Sequence, residues 1–598
     1  MTLRVPVLIL ASALAASPAG AAALQEDAAR FVQIYSGLYK GVQAVAAAAS
    51  WDASTDVTPE HDGGRVAANK AQAALTGSPL VIEETQRFLA RKSELDPLTV
   101  RQLQKILLYA AENPGTLPEI VAQRVEAEGR QSSAMDSFQF CLQRKGAECL
   151  RPTTANGIDE LLLKEKDAAK RLAVWTASKE IGPTLKPGLA ELQGLRNAVA
   201  RQFGYPSYFD LQAADMEMTA GEVTQLMDLL LDDIQPLYRE LHCYAKHELA
   251  KRYGQPVPEK YIPAHWIPNR WAQEWNGLVE GVDLDPLFKG RKPEWFVESA
   301  QDFWVSLGFP RLPESFWKKS DLYALPKDSP RKKNTHASAW HIDLDQDMRS
   351  LMNIEPTASW WGTAHHELGH IYYYVAYSRP GVPLLLRAGA NRAFHEGIAE
   401  LGNLASMQEP YLRAKGILPE GQKIDQRRWL MDEALVQTVA FLPWAAGTVT
   451  HWESDVYGKD LPPSQWNARW WEYVRKYQGV DAPAPRGEEY CDACTKTHVN
   501  DYPAYYYNYA VATVIKYQLH NHICRKILGK DPHQCDYSGN PEVGEFLDGI
   551  LSAGGTRDWQ ALLKETTGTE LSTQPMMDYF APLMDYLKGQ NKGRTCGW

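Results

Sequence analysis

The chain has 598 residues, 44% of them hydrophobic, and a formal net charge of -10. That is far more apolar material than a small module or a linear-motif protein carries, and enough for a large core or two lobes sharing one. Acidity without a run of Lys and Arg interleaved with aromatics argues against a nucleic-acid partner.

In chain order, the first segment has one basic residue, Arg4, an apolar run from Val5 to about Ala16, and small residues in an Ala-x-Ala pattern around Ala19 to Ala23. A membrane anchor needs about 20 continuous apolar residues, so this reads as a secretory signal peptide over 1–23, with 24–598 as a single domain. The expectation is an exported protein, periplasmic or secreted, with no transmembrane anchor in the mature chain. Eight cysteines follow, at 141, 149, 243, 491, 494, 524, 535 and 596. An even number in an exported chain implies disulfides. Cys141 with Cys149 and Cys524 with Cys535 could close short loops. The pairing of Cys243, Cys491, Cys494 and Cys596 is open, although Cys491 and Cys494 form a lone CxxC without the second pair a structural zinc site requires.

Helical periodicity runs through most of the chain. Ile158, Leu161 and Leu162, then Ala168, Leu172 and Trp175, recur at helical spacing. Thr219 and Glu222 make a capping box before Val223, Met227, Leu230, Ile234, Leu237, Leu241 and Tyr244, which predicts a long amphipathic helix. Period-two runs are scarce, so the fold class is mainly α. No internal repeat and no Gly/Ser linker divides the chain, and DAPAPR at 481–486 is loop-sized.

The segment 357–377, TASWWGTAHHELGHIYYYVAY, predicts a helix with Thr357 as N-cap and a stop at Ser378 to Gly381. His366 and His370 lie one turn apart, so both imidazoles project from one face and can share a cation. Glu367 beside them is placed to take a proton from an attacking water. His365 points about 100° away and is read as a bystander. A catalytic metal needs a third protein ligand. In GANRAFHEGIAE, Asn391 is a candidate N-cap, and either His395 or Glu396 could supply that ligand on spacing alone. Glu400, one turn after Glu396, could then orient a ligating histidine through its other ring nitrogen.

These motifs, AHHELGH, GAN then FHE, THASAW at 335–340 and WAQ at 271–273, resemble the angiotensin-converting-enzyme family of zinc peptidyl-dipeptidases. The resemblance runs from about residue 25 to the C-terminus, and KYQG at 476–479, Lys496-Thr497-His498 and the tyrosine-rich helix after Pro503 make it specific. It implies a large two-lobed helical fold with a deep central cleft and very little β. One zinc would be held by His366, His370 and Glu396, which decides between Glu396 and His395. Glu367 would act as general base and then acid, with His498 and Tyr509 as oxyanion donors. His336 and the backbone of Ala337 resemble an edge-strand clamp on the substrate main chain. Gln273, Lys496 and Tyr506 resemble an anchor for a free C-terminal carboxylate, with Tyr505 the neighbouring alternative to Tyr506.

The implied reaction is release of dipeptides from oligopeptides with a free C-terminus. A related carboxypeptidase has arginine where Gln273 stands and releases single residues, so a carboxypeptidase or oligopeptidase of the same fold is the alternative, and a non-catalytic peptide-binding protein a third reading. Two departures concern chloride: Asn508 and Lys186 stand where animal members carry chloride-binding arginines, so the resemblance does not carry chloride activation to this chain. Thr335 replaces a family cysteine, which removes a central disulfide, while Cys141/Cys149 and Cys524/Cys535 resemble two that remain.

Overall fold

A computed structural model describes residues 21–598 apart from 279–281, 327 and 437, so residues 1–20 of the expected signal peptide lie outside the described residues. The fold is mainly helical, with only short strands, as the periodicity predicts. The described chain forms two compact units. One takes residues up to Val121, Leu284–Gly421 and Leu519–Leu571; the other takes Ala122–Asp283, Gln422–Gln518 and Ser572–Trp598. Among the described residues no helix is long and apolar enough to cross a membrane.

The first unit opens with helices Ala21–Thr55 and Pro59–Thr76, the second capped by the Thr58 side chain, which accepts from the His61 N–H ahead of a first-turn proline. Its core gathers Leu24, Phe31, Tyr35, Val81, Phe88, Leu103, Ile106 and Leu385. Full burial of each aliphatic or Phe side chain stabilises by about 1.5–3 kcal/mol. A three-stranded sheet follows. Asp321–Tyr323 runs parallel to Met348–Ile354, and Ser338–His341 pairs antiparallel to it on the far side, as an edge strand. Lys333, almost wholly buried, fixes the approach to that edge by donating to Asp321 Oδ1 at 2.7 Å, the Tyr323 carbonyl at 2.6 Å and the Met352 carbonyl at 2.7 Å. Three acceptors repay the desolvation of one ammonium. Cys524 and Cys535 are bonded in this unit.

The second unit holds the long helix Ala220–Tyr253, which starts on the predicted capping box and ends at Gly254 in the left-handed region (φ 60°). Both halves of that box are formed, Thr219 accepting from the Glu222 N–H and Glu222 from the Thr219 N–H. In helix Ala168–Ser178 the expected pattern is inverted at one step: Leu172 is 38% exposed and Arg171 is buried. The Arg171 guanidinium donates to the carbonyls of Glu165, His265, Trp266 and Ile267 at 2.9–3.2 Å and also to that of Leu162. A charged group with five donors can go inside where loop carbonyls otherwise lack partners, and the leucine is turned out. Short π-helical turns, Pro443–Val449, Ser454–Gly458 and Val474–Gln478, let large side chains such as Trp444, Trp452 and Trp470 interleave.

Three disulfides close in this unit: Cys141–Cys149, Cys491–Cys494 and Cys243–Cys596, so the CxxC is a disulfide and the remaining pair joins the long helix to the C-terminal residues. The last of these spans 353 residues. Trp598 sits beside it, its ring centroid 4.8 Å from His242 and its Nε1 donating to the Arg475 carbonyl at 3.0 Å. A cross-link over so long a loop restricts the unfolded chain strongly. Replacing Cys243 and Cys596 together by serine is expected to lower stability by about 4 kcal/mol, read as a lower urea midpoint with a steeper slope, because the unlinked denatured chain exposes more surface.

Candidate active site

The first unit's site is carried by two helices, the motif helix Ala358–Tyr377 and a facing helix Arg392–Ser406. Both start on the residues expected: Thr357 accepts from the Trp360 N–H at 3.2 Å, and Asn391 from the Phe394 N–H at 2.8 Å. What brings the helices together is glycine. A Cβ added at Gly369 would lie 2.7 Å from the Ala399 Cα, and one at Gly402 would lie 2.9 Å from the His365 carbonyl oxygen. Backbone therefore meets backbone at the level of the two histidines. Gly369→Ala would gain helix propensity of about 1 kcal/mol, yet the clash with main chain is expected to outweigh it. Net destabilisation of about 2 kcal/mol and a loss of metal affinity are expected, measured by thermal unfolding and chelator competition.

With the helices at this separation, His366, His370 and Glu396 each present one ligand atom, and the three atoms lie within 4.8 Å of one another. His366 Nε2 is 3.5 Å from Glu396 Oε1, and His370 Nε2 is 3.7 Å from Glu396 Oε2. Two imidazole nitrogens and a carboxylate oxygen at such spacing are the donor set of a zinc site with a position left for water. Each histidine is held through its other nitrogen: Nδ1 of His366 is 3.1 Å from Glu400 Oε1, and Nδ1 of His370 is 2.7 Å from Nδ1 of His395. Glu396 thus takes the ligand position, and His395 stands behind His370. His365 is a satisfied core histidine, its Nδ1 2.9 Å from the Trp361 carbonyl and its Nε2 3.2 Å from the Tyr411 hydroxyl.

Electrostatics follow from burial and charge. Burial works against the charge on His366, but the Glu400 hydrogen bond and the Glu396 and Glu400 carboxylates raise its pKa to about 10. A proton and a dication compete for the Nε2 of His366, the nitrogen that faces Glu396. Glu367 is buried, and desolvation pushes its carboxyl up to about 7, against the pull of His366. Its Oε2 is buried and receives no hydrogen bond from the described residues. An orphaned carboxylate oxygen next to a metal-type donor set suits a group that must accept a proton from water.

His336 and Ala337 immediately precede the edge strand, and the N–H of His336 donates to Asn334 Oδ1 at 2.9 Å. The strand is tied to the motif helix through Tyr374, whose hydroxyl donates to the Ala339 carbonyl at 3.2 Å and whose ring stacks on His341 at 4.9 Å. Sequence reasoning did not single out Tyr374 or His341; the signal for Tyr374 is the YYY run after the metal motif, and His341 carries none.

The other expected residues belong to the second unit. There Lys496, 8% exposed, donates to Gln273 Oε1 at 2.7 Å and lies 4.4 Å from the Trp271 ring centroid. Tyr506 is 5.6 Å from the same ammonium and packs on His498 and Tyr509 at centroid distances of 5.4 and 5.6 Å. Gln273, Lys496, Tyr506, His498 and Tyr509 are therefore one cluster. Tyr505 packs instead on Tyr502 and Tyr509. Burial lowers Lys496 to about 8, with Arg270 adding to the shift, and lowers His498 to about 4. His498 is then neutral at ordinary pH, able to donate one N–H. Lys186 is held by the Glu488 carboxylate at 2.8 Å and its carbonyl at 2.6 Å, and Asn508 donates to the Tyr505 carbonyl at 3.0 Å.

A helical protein in which an HExxH helix and a second helix converge two histidines and a glutamate, with a second glutamate beside them whose Oε2 receives no hydrogen bond from the described residues, has the make-up of a gluzincin-type metal site. A model of the angiotensin-converting enzyme family matches residues 22–598, and the chain belongs to that zinc-dependent family. Among its relatives are proteins named angiotensin-converting enzyme from Theromyzon tessulatum, 29% identical over 92% of this chain and 90% of the relative, and from Mesocricetus auratus, 31% identical over 81% of this chain and 38% of the relative. The Rattus norvegicus protein of the same name is 29% identical over 97% of this chain. This chain spans less than half of the two rodent proteins, 38% and 45%, but nearly the whole of the Theromyzon protein.

Proposed function

We propose that this protein is a zinc metallopeptidase that removes dipeptides from the free C-terminus of oligopeptides, its residues from 24 onward working as one catalytic domain. The observation that carries the reading is the convergence of His366, His370 and Glu396 with the buried, unpartnered Oε2 of Glu367 beside them. When bound, zinc supplies Lewis-acid polarisation of the scissile carbonyl and brings the pKa of water toward about 7. Glu367 takes a proton from the attacking water as its oxygen bonds to the carbonyl carbon, and returns that proton to the amine nitrogen as the C–N bond breaks. His498 and Tyr509 are assigned as donors to the oxyanion, each such donor contributing about 3–4 kcal/mol to the transition state. The main chain at His336 and Ala337 would pair with the substrate backbone next to an edge strand.

Direction along the peptide comes from Lys496. A buried ammonium that donates to an amide oxygen, lies against aromatic rings and has Glu274 as its foremost carboxylate influence can take a substrate carboxylate, with Gln273 and Tyr506 adding hydrogen bonds. Chloride is left out of the proposal because Lys186 is committed to Glu488. The four disulfides support a location outside the reducing cytoplasm.

The test is to incubate the protein with one peptide as the free acid and as the C-terminal amide and to identify products by mass spectrometry. Dipeptides from the free acid alone are expected. Single residues would replace the reading with a carboxypeptidase, and the absence of chelator-sensitive cleavage would remove it.

A further inference from the structure

The two histidines of the metal site are buttressed differently. Behind His366 stands a carboxylate, but behind His370 stands the imidazole of His395, with 2.7 Å between the two Nδ1 atoms. We infer that His395 is a positioning residue that fixes the tautomer and ring angle of His370 by accepting a hydrogen bond at Nδ1. The inference rests on the zinc reading above.

Proton placement is forced by the chemistry. His370 can offer Nε2 to a metal only as a neutral ring with its proton on Nδ1. That Nδ1–H points at His395 Nδ1, so His395 must present a lone pair there and carry its own proton on Nε2. The opposite arrangement would put the His370 proton on the nitrogen that faces Glu396 and block it. His395 cannot turn away to a better partner. Its ring stacks on Tyr373 at 4.7 Å and 25°, lies 5.1 Å from Tyr374 and 6.3 Å from Tyr377, and is closed in by Gly389, where an added Cβ would lie 3.1 Å from the His395 Cβ. Tyr373 is itself fixed by the Ala390 N–H, which donates to its hydroxyl at 3.0 Å. Among the described residues the His395 Nε2 is buried and meets no partner. An unpartnered buried N–H is costly, and a ring kept in place against that cost points to work done by its other nitrogen. A neutral imidazole also draws less on the His370 proton than the Glu400 carboxylate draws on His366, so the two ligands differ in basicity.

The test measures zinc affinity by chelator competition, separately from turnover. His395→Phe keeps a flat ring among the tyrosines and removes the acceptor, whereas His395→Asn places an amide oxygen near the former Nδ1. His395→Phe is expected to weaken zinc binding about 10–100-fold without lowering the unfolding temperature of the metal-stripped protein, and His395→Asn to recover most of the loss. Should the phenyl ring fail to fold in, the comparison passes to His395→Asn against His395→Gln, whose amide falls at the Nε2 position; glutamine is then expected to bind about 10-fold more weakly than asparagine. Wild-type affinity in His395→Phe, or equal losses in asparagine and glutamine, overturns the positioning role and leaves the zinc reading standing. Failure of the wild-type protein to take up zinc overturns both.

Discussion

Replacing Glu367 with glutamine is expected to give a protein that still takes up zinc and hydrolyses almost nothing. Glutamine is nearly isosteric, and Glu367 is not among the three ligand-bearing side chains, so the donor set survives. What goes is the base. A positioned general base contributes about 10²–10⁴ in rate, and here the same carboxyl also returns the proton to the leaving amine, which puts the expected loss in kcat at the upper end. The buried environment makes the effect sharper, because desolvation raises the Glu367 carboxyl and makes it readier to accept a proton. Kinetics on a free-acid peptide together with zinc content measured by atomic absorption check the prediction. Substantial turnover with zinc present would move the base to another residue.

Lys496→Met is expected to abolish the preference for a free C-terminus. The methionine fills the same slot between Trp271 and Tyr506 but carries no charge for the substrate carboxylate. Truncating one member of a buried charge pair costs about 2–5 kcal/mol, so kcat/KM on the free acid should fall about 10²–10³-fold while the amidated peptide, poor to begin with, changes little. The ratio of the two substrates is the measurement, and an unchanged ratio would detach Lys496 from the carboxylate. A pH dependence follows from the same residue. Its folded pKa is lowered to about 8, so the ammonium is present below that pH and lost as pH rises through it. KM for the free acid should therefore climb above about pH 8 in the wild type and stay flat across that range in Lys496→Met.

Much of this site was legible in the sequence wherever the physics is local. The N-caps at Thr357, Asn391 and Thr219 depend on a side chain and an N–H three residues away, and all three form as read. The His366/His370 pair is likewise fixed by one helical turn. The third ligand was not readable from spacing, because His395 and Glu396 are adjacent and their division of labour depends on how a second helix is rotated against the first. Family resemblance pointed to Glu396; the spatial arrangement adds what His395 does. Arg171 and Leu172 show the opposite failure. Periodicity favours the leucine inside, and only the carbonyls of Leu162 and Glu165 nearby and of the distant segment 265–267, gathered by the fold, reverse it. The pairing of Cys243 with Cys596 was out of reach for the same reason, since nothing within a few residues of either cysteine announces a partner 353 positions away.

The glycine contact between the two helices has a thermodynamic consequence. Helices already touching through their main chains cannot close further around a guest ion, and they cannot easily open without breaking contacts made during folding. The ordering of His366, His370 and Glu396 is thus completed when the chain folds, and little conformational entropy remains to be lost on loading. Such a centre behaves as a rigid mould: it discriminates between ions by their preferred bond lengths, and its selectivity is written into two missing methyl groups, at positions 369 and 402, as much as into the ligands themselves.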